Sequence, residues 1–328
     1  MKVDLVPLSQ VKKEYSEFVE NFSSATPFHT VEWLTALENS LGNKCEAAMF
    51  YENSDLIGVC PLFKKNVSLL KIYFSPIFGT ETAYLGVLGK DLSGMLNVLK
   101  EKVGDFFVIQ PPDLKILARG FAVENKDTII TPLDSQNAEE HFKKVRKGHR
   151  YDTKKAEKDG VTISEDYSKA AISEYCKMLS QTYGKSDYAP LPESLYQEVI
   201  SKLHEKNQIK MLFAEYEGKR IAGGVFPYFN NTVYYWTGGS RKEKEYTSLY
   251  PNNLVQWELI KWGYESGIKN YDMLGGSHEG IRQFKLGWGG NLQSYQRIYS
   301  SQKLKLMASL YSKLGSGIKE KIRKGVRS

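Results

Sequence analysis

One order of elements is written twice along this 328-residue chain: helices, a meander of strands, a helix and a further strand. A repeat of about 150 residues marks two similar domains, because solenoid periods run to about 20–50 residues. In the first copy, Val11, Tyr15, Phe18, Val19 and Phe22 recur at helical spacing. Thr30 is placed to cap a second helix through Trp33, Leu34 and Leu37, with Gly42 as its stop. CEAAMFYENSDLIGVCPLFKK reads as two strands about a turn at Glu52–Asp55. LSGMLNVLKEKVG follows as a helix and DFFVIQPP as a buried strand that prolines end. In the second copy, residues 134–160 are predicted helical, VTISED is a strand, and AAISEYCKMLSQTYG and ESLYQEVISKLHEK are helices. Three strands then cover 209–240, with turns at Glu217-Gly218-Lys219 and Asn230-Asn231. A helix, NNLVQWELIKWGYESG, and the strand KNYDML complete it.

The expected class is therefore α/β (α+β), with two tandem domains, each a mixed, largely antiparallel sheet flanked by helices. Their expected bounds are 1–135 and 136–300, followed by a basic amphipathic tail over 301–328. With 21 Tyr, 15 Phe and 5 Trp the chain has ample core material, which excludes disorder. No apolar leader opens it and no run of 18 uncharged apolar residues occurs, so a cytoplasmic location is expected. Cys45, Cys60 and Cys176 form neither a disulfide framework nor a metal knuckle.

The net charge of +7 has a location. Residues 301–328 carry eight Lys/Arg and one Glu, so the rest of the chain balances to zero. Within that neutral body, Lys143 to Lys158 holds eight Lys/Arg against Asp152 and Glu157. Cations at i,i+4 repel one another. The run reads either as a solvated face or as a seat for a phosphate or nucleic-acid backbone. Arg150 is its most informative member, since Tyr151 beside it can stack while the guanidinium grips a phosphate. His141 and His149 lie in the same segment and read as solvated.

Phosphate loops of the GxxxxGK[ST] and GxGxxG kinds are absent, as are a GxSxG elbow and metal-spaced histidines. Arg220-Ile-Ala-Gly223-Gly-Val is a poor match to the pyrophosphate turn of acetyl-CoA enzymes, because it falls within a predicted strand pair. The strongest site signal is YDMLGGSHEGIRQFKLGWGG, with six glycines between Gly275 and Gly290. Gly275 and Gly276 allow backbone to approach a ligand, and Arg282 and Lys285 fall on one face of a short helix. The competing reading is a glycine-rich connection packed with core aromatics.

Together, PFHTVEWLTAL (27–37), HRYDTKKAEKDGVTI (149–163), IAGGVFPYFNNTVYYWTGGS (221–240) and YDMLGGSHEGIRQFKLGWGG (271–290) resemble the Fem family of peptidyl transferases. The resemblance covers most of residues 20–300 and implies two GNAT-like domains, with the cleft associated mainly with the second. It implies transfer of an aminoacyl group from aminoacyl-tRNA to an amine of a peptidoglycan precursor. By motif, Arg150 corresponds to an arginine that contacts a substrate phosphate, and Lys285 to the lysine at the acyl-donor end. Two departures stand out. No cation follows Trp33, where bridge-forming members place a lysine, and 165–205 is too short for the coiled-coil arm of some lineages.

Acyl transfer needs a neutral amine and stabilisation of a developing oxyanion. Lys285 is the candidate for that stabilisation or for gripping the tRNA end, and His278 is the candidate base. Trp33, Arg150, Tyr235, Asp272 and Arg282 are the candidate substrate-binding residues. No cofactor or metal is expected, the donor being a co-substrate: aminoacyl-tRNA, or acyl-CoA in the second reading. The expected acceptor is a cell-wall or glycan precursor, free or lipid-linked, or an amino sugar or polysaccharide precursor in the CoA reading. A third reading is a non-catalytic module whose basic patches bind a polyanion or an anionic membrane. Its support is the tail at 303–328, where Leu304, Leu306, Met307, Leu310, Leu314, Ile318 and Ile322 interleave with lysines.

Overall fold

The computed structural model describes residues 1–67, 70–116, 119–184, 191–276 and 279–313. The chain forms two compact units, Met1–Lys126 with Ser294–Ser328, and Asp127–Gln293. The first opens with β1 (Lys2–Pro7), α1 (Leu8–Asn21), a 3-10 turn (Pro27–His29) and α2 (Val31–Leu41). Thr30 caps α2, its hydroxyl accepting from the Trp33 N–H, and Gly42 ends it in the left-handed conformation that glycine adopts without strain. There follow β2 (Cys45–Glu52), β3 (Asp55–Val67), β4 (Leu70–Ser75), β5 (Leu88–Gly89), α3 (Leu92–Val103) and β6 (Asp105–Gln110).

The second unit takes the later half of β7 (Ala122–Pro132), then α4 (Ala138–Lys144), α5 (Lys147–Lys158), β8 (Thr162–Glu165), α6 (Lys169–Tyr183) and α7 (Glu193–Glu205). It continues with β9 (Ile209–Tyr216), β10 (Lys219–Phe229), β11 (Thr232–Tyr234), β12 (Thr237–Ser240), α8 (Lys244–Thr247), α9 (Pro251–Glu265), β13 (Asn270–Asp272) and α10 (Glu279–Leu286). The chain returns to the first unit through β14 (Asn291–Tyr299) and α11 (Gln302–Lys313).

Each unit is built on the same plan. In the first, the strand order is β1-β2-β3-β4-β6-β14, antiparallel throughout except that β4 and β6 run parallel. In the second, the order β8-β9-β10-β11-β13-β7 is antiparallel except for the parallel pair β11–β13. Each core is apolar and aromatic: Phe50, Leu62, Leu96 and Phe106 in one unit, Phe226, Leu259, Tyr271 and Trp288 in the other. The expected class and the duplicated order are present in the molecule.

The bounds differ from those read in the sequence. The division falls inside β7, because its later residues pair with β13, and inside β14, whose residues 296–299 pair with β6. The single helix expected over 134–160 is two. Val145 leaves helical geometry, and the Arg146 N–H donates to the Gly287 carbonyl instead of continuing the helix.

Candidate active site in the second unit

The site begins where the sheet opens. β11 and β13 run parallel only as far as Tyr234 and Asp272. Tyr235 N–H still donates to the Asp272 carbonyl at 2.9 Å. Beyond that point Trp236 N–H turns to Val225 on β10, while Met273 N–H turns to Ile129 on β7. The two strands therefore part, one following each neighbour.

The glycine-rich segment fills the far side of this opening. Asp272 is buried, and its Oδ1 accepts from Thr128 Oγ1 at 2.6 Å and from Leu274 N–H at 2.8 Å. Leu274 has φ +53°, an uncommon backbone for a branched side chain. Its carbonyl and that of Gly275 both accept from the Lys285 ammonium, at 2.6 and 2.7 Å. The same Nζ lies 5.7 Å from the centre of the Tyr235 ring. Burial pulls the Lys285 ammonium down to about 8, with the Asp272 charge acting in the opposite direction. Tyr235 stacks on Phe226, and burial pushes its hydroxyl up to about 12. Gln256, buried in α9, bonds both Tyr271 and Tyr235.

Behind the site, α5 and α4 anchor the second glycine turn. His149 Nε2 meets the Phe284 carbonyl at 2.8 Å, and His141 Nε2 meets the Trp288 carbonyl at 3.1 Å. A Cβ on Gly287 would stand 2.4 Å from the His149 ring, so this backbone seats against the imidazole only as glycine. Both histidines are buried and their pKa values lowered, first by desolvation, which corrects the expectation that they are solvated. Sequence reasoning missed this role. No local pattern marks it, because the two histidines lie on separate helices and their carbonyl partners follow 147 and 135 residues later.

Among the other residues singled out, Lys285, Asp272 and Tyr235 come together. Arg282 shares α10 with Lys285 and pairs with Asp127 at 3.3 Å. Arg150 is half-buried on α5, and its Nε is buried with no hydrogen-bond partner among the described residues. Trp33 departs from expectation. It lies fully buried in the first unit against Phe28, with Nε1 donating to Thr82 at 3.2 Å, so it offers no surface to a substrate. His278 lies outside the described residues. Arg220 sits in β10 with its guanidinium among Asp166, Glu174 and Glu215, which accounts for it without a pyrophosphate. Among the described residues no three His, Cys, Asp or Glu side chains group as metal ligands.

The outer face of α4–α5 is the other charged feature. Arg146, Lys147, Lys154 and Lys158 are exposed, and none has a carboxylate within 4.0 Å among the described residues. Tyr151 stands among them, 65% exposed.

Known proteins resemble this chain in sequence and in fold. A family model described as an acetyltransferase (GNAT) domain matches residues 143–289. A lipid II:glycine glycyltransferase of Staphylococcus epidermidis is 26% identical over 141 residues, 39% of this chain and 32% of that protein. An aminoacyltransferase FemA from the same species is 23% identical over 201 residues, 58% of this chain and 43% of that protein. The chain thus matches less than half the length of either relative. The crystal structure of FemX superposes with a TM-score of 0.68 at 15% identity, covering 90% of this chain and 97% of that one. L-PGS from Bacillus licheniformis gives 0.54 at 13% identity, over 85% and 90%.

Proposed function

We propose that this chain, a Fem-family protein of GNAT-like fold, is an N-acyltransferase that moves an aminoacyl group from aminoacyl-tRNA to an amine of a cell-wall or glycan precursor. One observation carries the reading: a lysine ammonium held on two carbonyls where β11 and β13 part. An ammonium has three donors, and among the described residues two are engaged, which leaves one for the oxygen that turns anionic as the ester carbonyl is attacked. Below its titration point Lys285 is predominantly charged at neutral pH, as oxyanion stabilisation requires. From its place in the glycine-rich segment alone, His278 is assigned the base that takes the acceptor amine's proton and passes it to the tRNA ribose oxygen that leaves as the ester C–O bond breaks.

The names of the curated relatives support the acceptor class, since they are a lipid II:glycine glycyltransferase and an aminoacyltransferase. Support for an RNA-borne donor comes from α5, where unpaired cations flank an exposed tyrosine, the combination that seats a phosphate backbone with a base on an aromatic face. Arg150 is assigned a substrate phosphate. Acyl-CoA is the lesser donor, because the one sequence resembling a pyrophosphate turn is consumed by the Arg220 ion pairs. We assign the protein to the cytoplasmic side of a membrane, touching it through residues 303–328. Leu306 and Leu310 are exposed one turn apart on α11, while Leu314, Ile318 and Ile322 lie outside the described residues. No helix among the described residues is long and apolar enough to cross a membrane.

The test is transfer of label from aminoacyl-tRNA to a cell-wall precursor carrying a free amine. Transfer by the wild type that disappears in Lys285→Ala, with the fold intact, is the expected result. Full transfer by the variant removes Lys285 from the reaction, and transfer from acetyl-CoA instead reassigns the donor.

A further inference from the structure

The proposed chemistry places Lys285 at the donor but leaves open what sets the position and charge of its ammonium. The side chain is long, and a free lysine loses much rotamer entropy before it stands in one place. Here the site of the ammonium is defined by two carbonyls, those of Leu274 and Gly275. Their direction depends on the backbone at Leu274, which holds φ +53° without glycine. A conformation of this kind is costly for a residue with a side chain and persists only where its surroundings impose it. The imposing group is Asp272, whose Oδ1 accepts the Leu274 N–H at 2.8 Å and closes the turn from two residues back. Thr128 in turn holds that same oxygen at 2.6 Å from β7. Both side chains are almost wholly buried.

The geometry points to Asp272, braced by Thr128, as the positioning residue of this site: it folds the 272–275 turn so that two carbonyls receive the Lys285 ammonium. It touches neither donor nor acceptor in this account, and it acts through Lys285. Its charge has a second consequence. Among the described residues of the neighbouring elements, Tyr235 lies near the Lys285 ammonium, His149 on α5 bonds the Phe284 carbonyl, Asp127 on β7 pairs with Arg282, and Glu279 and Arg282 share α10 with Lys285. Burial favours the uncharged forms of both Tyr235 and His149. Asp127 is taken by Arg282, and Glu279 accepts from Gln283. Asp272 is then the carboxylate that offsets the desolvation of the ammonium, consistent with the direction in which it moves Lys285.

This inference rests on the reading of Lys285 as the working cation, yet its test needs no substrate. The side-chain nitrogen of Lys285 is followed by NMR in lysine-labelled full-length protein, recording its titration midpoint and the exchange of its ammonium protons. Asp272→Asn keeps an acceptor for Leu274 and Thr128 but loses the charge. Its midpoint is expected to fall by about one pH unit with exchange still slow. Asp272→Ala loses both, so the midpoint falls and exchange accelerates about tenfold or more. Adding Leu274→Gly to Asp272→Ala supplies a residue that takes positive φ unaided. Slow exchange is expected to return while the midpoint stays low, a rescue that general loosening of the fold does not produce. An unchanged midpoint in Asp272→Asn, or unchanged exchange in Asp272→Ala, overturns the proposal. These results stand whether or not the protein transfers an aminoacyl group, so the two readings fail separately.

Discussion

The two units carry the same opening and treat it in opposite ways. In the first, β3 pairs with β4 along its later residues and with β5 nearer its start, as β10 pairs with β11 and β12 in the second. Between β4 and β5 the chain inserts residues 76–87, whereas Tyr235 and Trp236 alone separate β11 from β12. The insertion fills the opening with its own polar groups. Gln110, wholly buried beyond the parallel pair β4–β6, bonds the Val87 N–H at 2.7 Å and the Val87 carbonyl at 3.3 Å. Thr82 receives Trp33 Nε1, and Thr26 donates to the Tyr84 carbonyl. In the second unit the strand ends in Asp272 and a glycine turn, and the polar group at the opening is a lysine with two of its three donors engaged among the described residues. A duplicated scaffold has thus closed one copy around its own side chains and kept a cation in the other.

Substitutions sharpen that contrast, the largest effects first. Trp33→Ala removes a fully buried indole from the first unit and is expected to cost about 3–5 kcal/mol of stability. Thermal denaturation reads that loss. A stable variant with failed transfer would instead return Trp33 to the substrate. Lys285→Ala is expected to reverse the pattern, with stability nearly unchanged and kcat/KM for transfer down by about 100- to 1000-fold. Gly287→Ala forces a Cβ onto the His149 ring, so a loss of about 1–3 kcal/mol is expected. The double change Gly287→Ala with His149→Ala should recover part of it.

Acid probes both units together. His29, buried in the first, is lowered to about 3 by desolvation, and His141 and His149 in the second are lowered for the same reason. A histidine whose folded pKa is depressed binds protons more readily once unfolded. Its stabilisation is therefore complete above the unfolded value near 6.5 and declines as pH falls below it. The denaturant midpoint should drop steadily from about pH 6.5 downward, less steeply in His149→Phe. The smallest effect expected is at Arg150. Arg150→Ala should weaken RNA binding modestly and reduce the salt slope by about one.

Much of this was legible in the residues. Thr30, Gly42 and the turns at Asn53, Glu217–Gly218 and Asn230–Asn231 appear where local chemistry places them, because capping and positive φ are set by a few neighbours. The duplicated order was also readable, as was the short helix that carries Arg282 and Lys285. What escaped is long-range. β7 and β14 carry the division between units, and their roles depend on partners far away in sequence. The basic run was read as one helix, since nothing local shows that Arg146 will bond Gly287. Its histidines looked solvated because the lysines around them dominate the pattern. Trp33 sat within a motif, yet its burial depends on Phe28 and on Thr82, from a distant loop.

The central claim is that the opened unit serves a charged-tRNA donor. Equilibrium binding of fluorescent aminoacyl-tRNA at two salt concentrations, with uncharged tRNA and acetyl-CoA as competitors, tests it most directly. The account predicts binding that weakens with salt, prefers charged over uncharged tRNA and is indifferent to acetyl-CoA. Displacement by acetyl-CoA, or equal affinity for charged and uncharged tRNA, contradicts it.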